Sequence, residues 1–320
     1  MTDHRSEAFS TELDRSVPGL VSGPLRAPVQ MLANQSYGGH TSVHDDATAA
    51  SLGLIAGPIE GPTHFSQFDP LLVDRWGERW FSHGCLSAHF QTMVVEGEQV
   101  RATVTHDDKA AGRVTLDAVK ADGTPVLTGS ASVGPDHLET ALAPRLARAV
   151  ADPPTDLYVI DVLSVGMKGP GGETVTVTFD EDFGELYPFT LRQKLGKITE
   201  PSPWYLANAE TPWGGPVVPI EMLSVLTNSA SKHSSFAARQ PSIGLFIDLE
   251  VQLLGEPVLV GHTYRIDREI VAMGASRRTE SYWTRTLLTD VANPDGVPAA
   301  EVLLHQGVFK DSYPGYPTDA

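Results

Sequence analysis

The chain of 320 residues holds a single cysteine, Cys85. An internal disulfide is therefore excluded, and the composition fits a reducing, cytoplasmic setting. No Cys/His cluster has the spacing of a zinc site. No apolar stretch approaches the ~20 residues of a membrane span, and the first residues lack the apolar core of a secretion signal. Positive charge is scarce, with 23 Lys and Arg against 40 Asp and Glu for a net charge of −17. That balance argues against nucleic acid and anionic membrane surfaces as partners, and mildly against a polyanionic cofactor in the absence of a local basic patch. The few basic groups that lie close together (Arg192, Lys194 and Lys197, then Arg277 and Arg278) read as solvated surface. What remains is an ordinary globular composition, 41% hydrophobic and 20% charged, at a length that suits two packed units.

Those two units are visible as an internal repeat. Pro58-Ile59-Glu60 recurs as Pro219-Ile220-Glu221, Gly97-Glu98 as Gly261-His262, and Asp122-Gly123-Thr124-Pro125 as Asp295-Gly296-Val297-Pro298. Each match is ordinary turn chemistry, but the order is kept and the spacing only grows. The first copy spans residues 1–140, a linker 141–156, and the second copy 157–320. In the first, His44-Asp45-Asp46 precedes an alanine-rich run ending at Gly53, a short capped helix with Asp46 as its N-cap. A turn at 57–62 follows, then a helix from Thr63 to about Trp76 with Pro70 as a kink. Strands are predicted over 80–95, 99–106, 112–120 and 125–133, the last two as a hairpin at Asp122-Gly123. The second copy repeats this with a helix from Ile220 to about Arg239 and strands near 244–254, 262–272, 277–291 and 300–310. One long helix beside an antiparallel meander has one economical solution, a sheet wrapped around the helix. Two such units can join their edge strands.

Here the chain resembles the MaoC-like branch of the hotdog superfamily in its double-hotdog form, an α+β fold. The resemblance rests on His44-x-Asp46, Ala50 and Gly53, then Gly57-Pro58-Ile59-Glu60-Gly61, and is clear over about residues 36–70. Many members are hydratases or dehydratases of enoyl or 3-hydroxyacyl thioesters. Their usual text has an Asp five positions before the His, and a His in the Gly-Pro-Ile-x-His-Gly turn. Here those positions are Gly39 and Glu60. The resemblance further implies that the Gly61 amide holds the substrate oxyanion.

His40, His44, Asp45, Asp46, Glu60 and His64 form the densest ionisable cluster in the sequence. Adding or removing water needs one group to take a proton and another to give one, and a His with a carboxylate can do both. His44 is the candidate acid/base, with Glu60 or Asp45 as its partner, and His40 is a candidate to fill the space left by Gly39. Glu60 reads two ways: a carboxylate stabilising the helix start, or a catalytic group whose pKa burial raises toward neutrality. Glycine at 61 lets a ligand approach the backbone; the same residue is also simply a tight turn. His64 and Phe65 are expected to line the pocket. His89 shares a strand face with His83 and Cys85, either toward the pocket or toward water. At the place of His44 the second copy shows Trp204 and Tyr205, with Trp213 nearby, which shape an apolar tunnel or serve as core.

Three functions follow. The first is a hydro-lyase on an apolar acyl or enoyl substrate, with CoA or a carrier protein as an optional thioester carrier and no other cofactor or metal. The second is an isomerase, cyclase or retro-aldol-type lyase on a non-thioester aromatic or natural-product molecule. The third is a ligand-binding protein without catalysis. Thioesterase activity is a further option on this fold, and a homodimer is compatible with each.

Overall fold

The computed structural model describes residues 5–106, 112–229 and 236–317. Its helices are α1 (Arg5–Ala8), α2 (Asp46–Ser51), α3 (Asp69–Trp76), α4 (Arg79–His83), α5 (Ala143–Ala151), α6 (Leu191–Leu195) and α7 (Met222–Ser229). The strands are β1 (Leu20–Ser22), β2 (Ser36–Tyr37), β3 (His40–Thr41), β4 (Gly84–Phe90), β5 (Val100–His106), β6 (Arg113–Lys120), β7 (Pro125–Val133), β8 (Thr174–Thr176), β9 (Gly244–Leu253), β10 (Thr263–Ala275), β11 (Thr279–Asp290) and β12 (Ala300–Phe309). Ten of them form one sheet in the order β1-β5-β6-β7-β4-β9-β12-β11-β10-β8. The order is symmetric about the β4–β9 seam, where Cys85 pairs with Gln252 and His89 with Asp248. The two copies therefore do join strand to strand, and the outer edges are strands of only three residues, which leaves little edge to pair with other chains.

The front sheet wraps its helical segment as expected. Phe65, Phe68, Leu71 and Leu72 are buried with Val100, Ala102 and Val104 of β5 and Val114, Leu116 and Ala118 of β6. The single helix expected over 63–76 is instead a 3-10 helix, Gly61–Phe68, followed by α3. Pro70 lies in the first turn of α3, where its missing N–H costs nothing, so it starts a helix rather than kinking one. The first strand is also shorter than the expected 80–95. Residues Arg79–His83 form α4, and β4 begins at Gly84, where a Cβ would lie 2.4 Å from the Trp80 carbonyl oxygen. Of the helix expected over 220–239, Met222–Ser229 is helical, residues 230–235 lie outside the described ones, and 236–239 are not helical.

The linker carries α5, laid on the outer face of the sheet, where Leu142, Leu146 and Ala149 pack with Ala272, Trp283 and Leu303. The chain beyond it is fastened by Glu280, whose carboxylate accepts from the amides of Tyr158, Val159 and Ile160 at 2.8, 2.8 and 3.0 Å. Three amides on one buried carboxylate satisfy a backbone turn that pairs with no strand.

Candidate active site

A cavity of about 940 Å³ lies between the two units. The front unit contributes Tyr37, His44, Pro58, Ile59, Glu60, Gly61, His64 and Phe90. The second contributes Tyr187, Asn228, Phe236, Phe246, Arg268, Thr284 and Gln306.

His44 is placed by two local devices. Asp45, not the expected Asp46, caps α2, accepting from the Thr48 amide and hydroxyl at 2.8 Å each. Asp46 instead accepts from the Gly57 amide at 2.8 Å and ties the helix to the following turn. The two strands of chain then touch: a Cβ at Gly57 would lie 2.0 Å from the His44 carbonyl oxygen. In this position the His44 Nδ1 donates to the Pro58 carbonyl at 2.6 Å. That bond fixes the tautomer and leaves the lone pair on Nε2. Burial pulls the His44 pKa down to about 4, partly opposed by the Pro58 carbonyl. The ring is neutral at neutral pH and able to accept a proton.

Glu60 is 5% exposed, and its pKa is pushed up to about 7. Burial is the main cause, Lys194 opposes it, and the like charge of Glu221 adds to it. The Lys194 ammonium lies 2.9 Å from Glu221 and 3.9 Å from Glu60, and donates to the Thr63 hydroxyl at 3.1 Å. The two equivalent carboxylates of the repeat thus share one lysine at the join between copies. Lys194 is 3% exposed, which corrects its reading as solvated surface. Burial alone would discharge it, but Glu221 and Glu60 raise its pKa above the ordinary value and keep it charged. The second oxygen of Glu60, Oε1, is buried and has no hydrogen-bond partner among the described residues.

Gly61 opens the 3-10 helix directly after Glu60, and its N–H has no acceptor among the described residues. Its glycine character also serves packing, because a Cβ would lie 2.9 Å from the Phe90 ring. His64 lines the cavity one turn on. It is 2% exposed and accepts from Gln67 at 3.3 Å, and burial draws its pKa down to about 4.

The remaining candidates do not reach the cavity wall. His40 sits on β3 beside the rim, against Gln240 Oε1 at 3.0 Å. Asp45 is occupied as a helix cap. Phe65 lies behind Phe90, with ring centroids 6.1 Å apart. His89 is on the other face of the sheet, where its Nδ1 and that of His305 donate to Asp248 at 2.7 and 2.6 Å. Arg145 of α5 adds a third contact to that carboxylate at 3.0 Å. Position 39, where the resembled family has its Asp, is the second residue of a two-residue turn between β2 and β3. Gly38 and Gly39 have φ of 61° and 82°, the conformation such hairpins demand and glycine adopts at least cost.

Trp204 and Tyr205 are buried in the second unit. The Trp204 carbonyl accepts from the Val217 amide, in the segment that precedes Glu221. The Trp204 ring lies 5.0 Å from Phe81 and 5.8 Å from Trp213. Tyr205 donates to Asp69 at 2.9 Å, and Trp80 donates to the same carboxylate at 2.7 Å. About 10 Å³ remains open beside them, room for one water at most. These aromatics are core, and the tunnel reading is not supported. Residues the sequence reading missed are Lys194, Tyr187, Asn228 and Arg268. The matched Glu60 and Glu221 were the available signal for a shared cation. Among the described residues no group of three His, Cys, Asp or Glu side chains could hold a metal ion.

No protein-family model and no curated protein matches the chain. Solved structures do. Rv0216 from Mycobacterium tuberculosis, a conserved protein with a double hotdog fold, is similar at 11% identity over 82% of this chain and 86% of that one, with a TM-score of 0.51. An inferred MaoC domain dehydratase from Chloroflexus aurantiacus J-10-fl is similar at 15% identity over 94% and 95%, with a TM-score of 0.49. The dehydratase domain of PpsC from Mycobacterium tuberculosis, solved with C12:1-CoA, is similar at 12% identity over 95% and 99%, with a TM-score of 0.47. The fold is the double hotdog, as the sequence implied, and at these identities the likeness speaks for the fold alone.

Proposed function

We propose that the chain is a hydro-lyase acting on a mostly apolar acyl or enoyl compound. The observation that carries this reading is the convergence of His44, Glu60 and the Gly61 amide on one large, largely apolar cavity. Two titratable groups pushed in opposite directions are what paired acid–base chemistry uses. Between pH of about 4 and about 7, His44 is neutral with its Nε2 lone pair available, and Glu60 holds a proton. In the dehydration direction His44 takes the proton beside the carbonyl and Glu60 gives one to the departing hydroxyl. Hydration runs the same steps in reverse. The Gly61 N–H, at the start of a helical segment, meets the oxyanion that develops on the carbonyl. Lys194 keeps Glu60 from rising further and so holds it near neutrality.

Arg268 is the only Lys or Arg among the described lining residues, and it is paired with Glu173 at 2.8 Å. The cavity therefore suits the acyl part, with any carrier lying outside it. The same feature favours, as a second reading, an uncharged substrate with no thioester carrier, handled by an isomerase, cyclase or retro-aldol-type lyase. Among the described residues no helix is long and apolar enough to cross a membrane; the proposed setting is the cytoplasm, with no cofactor beyond an optional CoA.

The test is turnover of trans-2-enoyl thioesters of CoA and of pantetheine by the full chain. H44Q and E60Q should each lower kcat/KM by about 10²–10⁴-fold. The wild-type profile should be bell-shaped with limbs near 4 and 7, and E60Q should lose the upper limb. Turnover retained in H44A would refute the acid–base assignment and favour a binding protein. Activity on neither thioester would place the carrier reading in error, and activity on pantetheine but not on CoA thioesters would exclude CoA as the carrier.

A further inference from the structure

The tandem copies supply an internal control for what the sheet must look like. In the front unit β6 turns Val114, Leu116 and Ala118 toward the helical segment, and all three belong to the main apolar core. By its place in the sheet order, β11 is the counterpart of β6. On its concave face β11 carries Tyr282, Thr284 and Thr286, and all three line the cavity. Their cross-strand neighbours extend the patch, since Arg268 pairs with Thr286 and Gln306 with Tyr282. The fold does not require polar groups on this face, because the core-facing positions of β6 in the other copy are Val114, Leu116 and Ala118.

These groups are also poorly occupied by the protein itself. The Thr284 hydroxyl reaches the Leu304 carbonyl at only 3.5 Å, and the Tyr282 hydroxyl reaches the Phe236 carbonyl at 3.4 Å. Thr286 is 3% exposed, and Thr284 and Tyr282 are each 7% exposed. A plain alkyl chain laid against them would strip their water and return no hydrogen bond. Arg268 does not ask for an anion: Glu173 lies 2.8 Å from its Nη1, and its Nη2 donates to the Thr227 carbonyl at 2.8 Å.

We infer that the part of the substrate reaching the rear sheet carries neutral oxygen groups, hydroxyl or carbonyl, so that the substrate class is an oxygenated acyl or ring compound rather than a simple alkyl chain. The inference rests on the cavity being the substrate site proposed above. It is tested with the full chain by titration calorimetry on two matched pairs of unreactive probes, decanol with 1,10-decanediol and decanoyl-pantetheine with 10-hydroxydecanoyl-pantetheine. The oxygenated member should bind about tenfold more tightly than its partner. T284V/T286V should erase that preference, while T284S/T286S, which keeps the hydroxyls, should retain it and controls for folding. Equal or tighter binding of the plain member, or no binding of any of the four, overturns the inference. Discrimination within the alcohol pair with no binding of either thioester leaves the inference standing and removes the thioester from the proposed function.

Discussion

Replacing Lys194 with methionine separates a buried lysine from a solvated one. Met fills a similar volume without charge, so the packing loss is small. What remains is two carboxylates, Glu60 and Glu221, facing one another in a site where the lysine was 3% exposed. Removing one partner of a buried ion pair costs roughly 3–5 kcal/mol. The cost should depend on pH, because a proton on Glu60 removes one of the two charges. In the wild type the folded-state pKa of Glu60, about 7, lies above its ordinary 4.5. Its contribution to stability is therefore fully present below about 4.5 and is lost as pH rises through 7, a change of about 3 kcal/mol at 1.36 kcal/mol per unit. Without the lysine the folded-state pKa moves higher still and the window widens upward. Urea unfolding should therefore show the K194M loss near its full size at about pH 8.5 and reduced to about 1–2 kcal/mol at about pH 5.5. K194M/E60Q/E221Q should recover about 2 kcal/mol or more at the higher pH. A loss below about 1 kcal/mol at about pH 8.5, or one equal at both pH values, would mean that the lysine is solvated and the shared-cation account is wrong.

Other consequences are as direct. G61A keeps the backbone N–H but drives a methyl group into the Phe90 ring, and should lose about 1–3 kcal/mol of thermal stability; F90L in the same chain should restore most of it, and a loss untouched by F90L would point away from packing. Tyr205→Phe leaves one oxygen of buried Asp69 without its donor and should cost about 1–3 kcal/mol in urea unfolding, with no change in ligand binding, since that ring lies outside the cavity. Glu280→Ala strips three amides of their acceptor and should destabilise by about 3 kcal/mol, with faster amide exchange at residues 158–160 as its local signature.

The repeat, the helix-and-meander order and the turn before the first helical segment were legible because each is a local matter of turn residues and apolar spacing. His44 was legible for the same reason, sitting beside Gly57 and Pro58 through a short, well-marked loop. Lys194 was not. Its neighbours Arg192, Gln193 and Lys197 give a polar segment that reads as surface, and only the arrival of Glu60 and Glu221 from distant positions buries it. Strand alternation correctly grouped His89 with Cys85 on one face of β4, but alternation does not say which face is concave, and His89 lies on the outer one with Asp248. Trp204 and Tyr205 were left with two roles. Packing against Phe81, Trp213 and Asp69 decides for the core. Gly39 stands where the resembled family has its Asp, and its positive φ places it in a hairpin turn.

The lysine at the join has a meaning for symmetry. In a dimer of identical chains every residue is duplicated by the rotation axis, so two facing carboxylates could have two lysines between them or none. A tandem chain is free of that rule and can set an odd number of charges on its own pseudo-axis. The same freedom allows a chamber on one side and a plug of indole and phenyl rings on the other, an asymmetry that no pair of identical subunits could adopt without breaking its rotation.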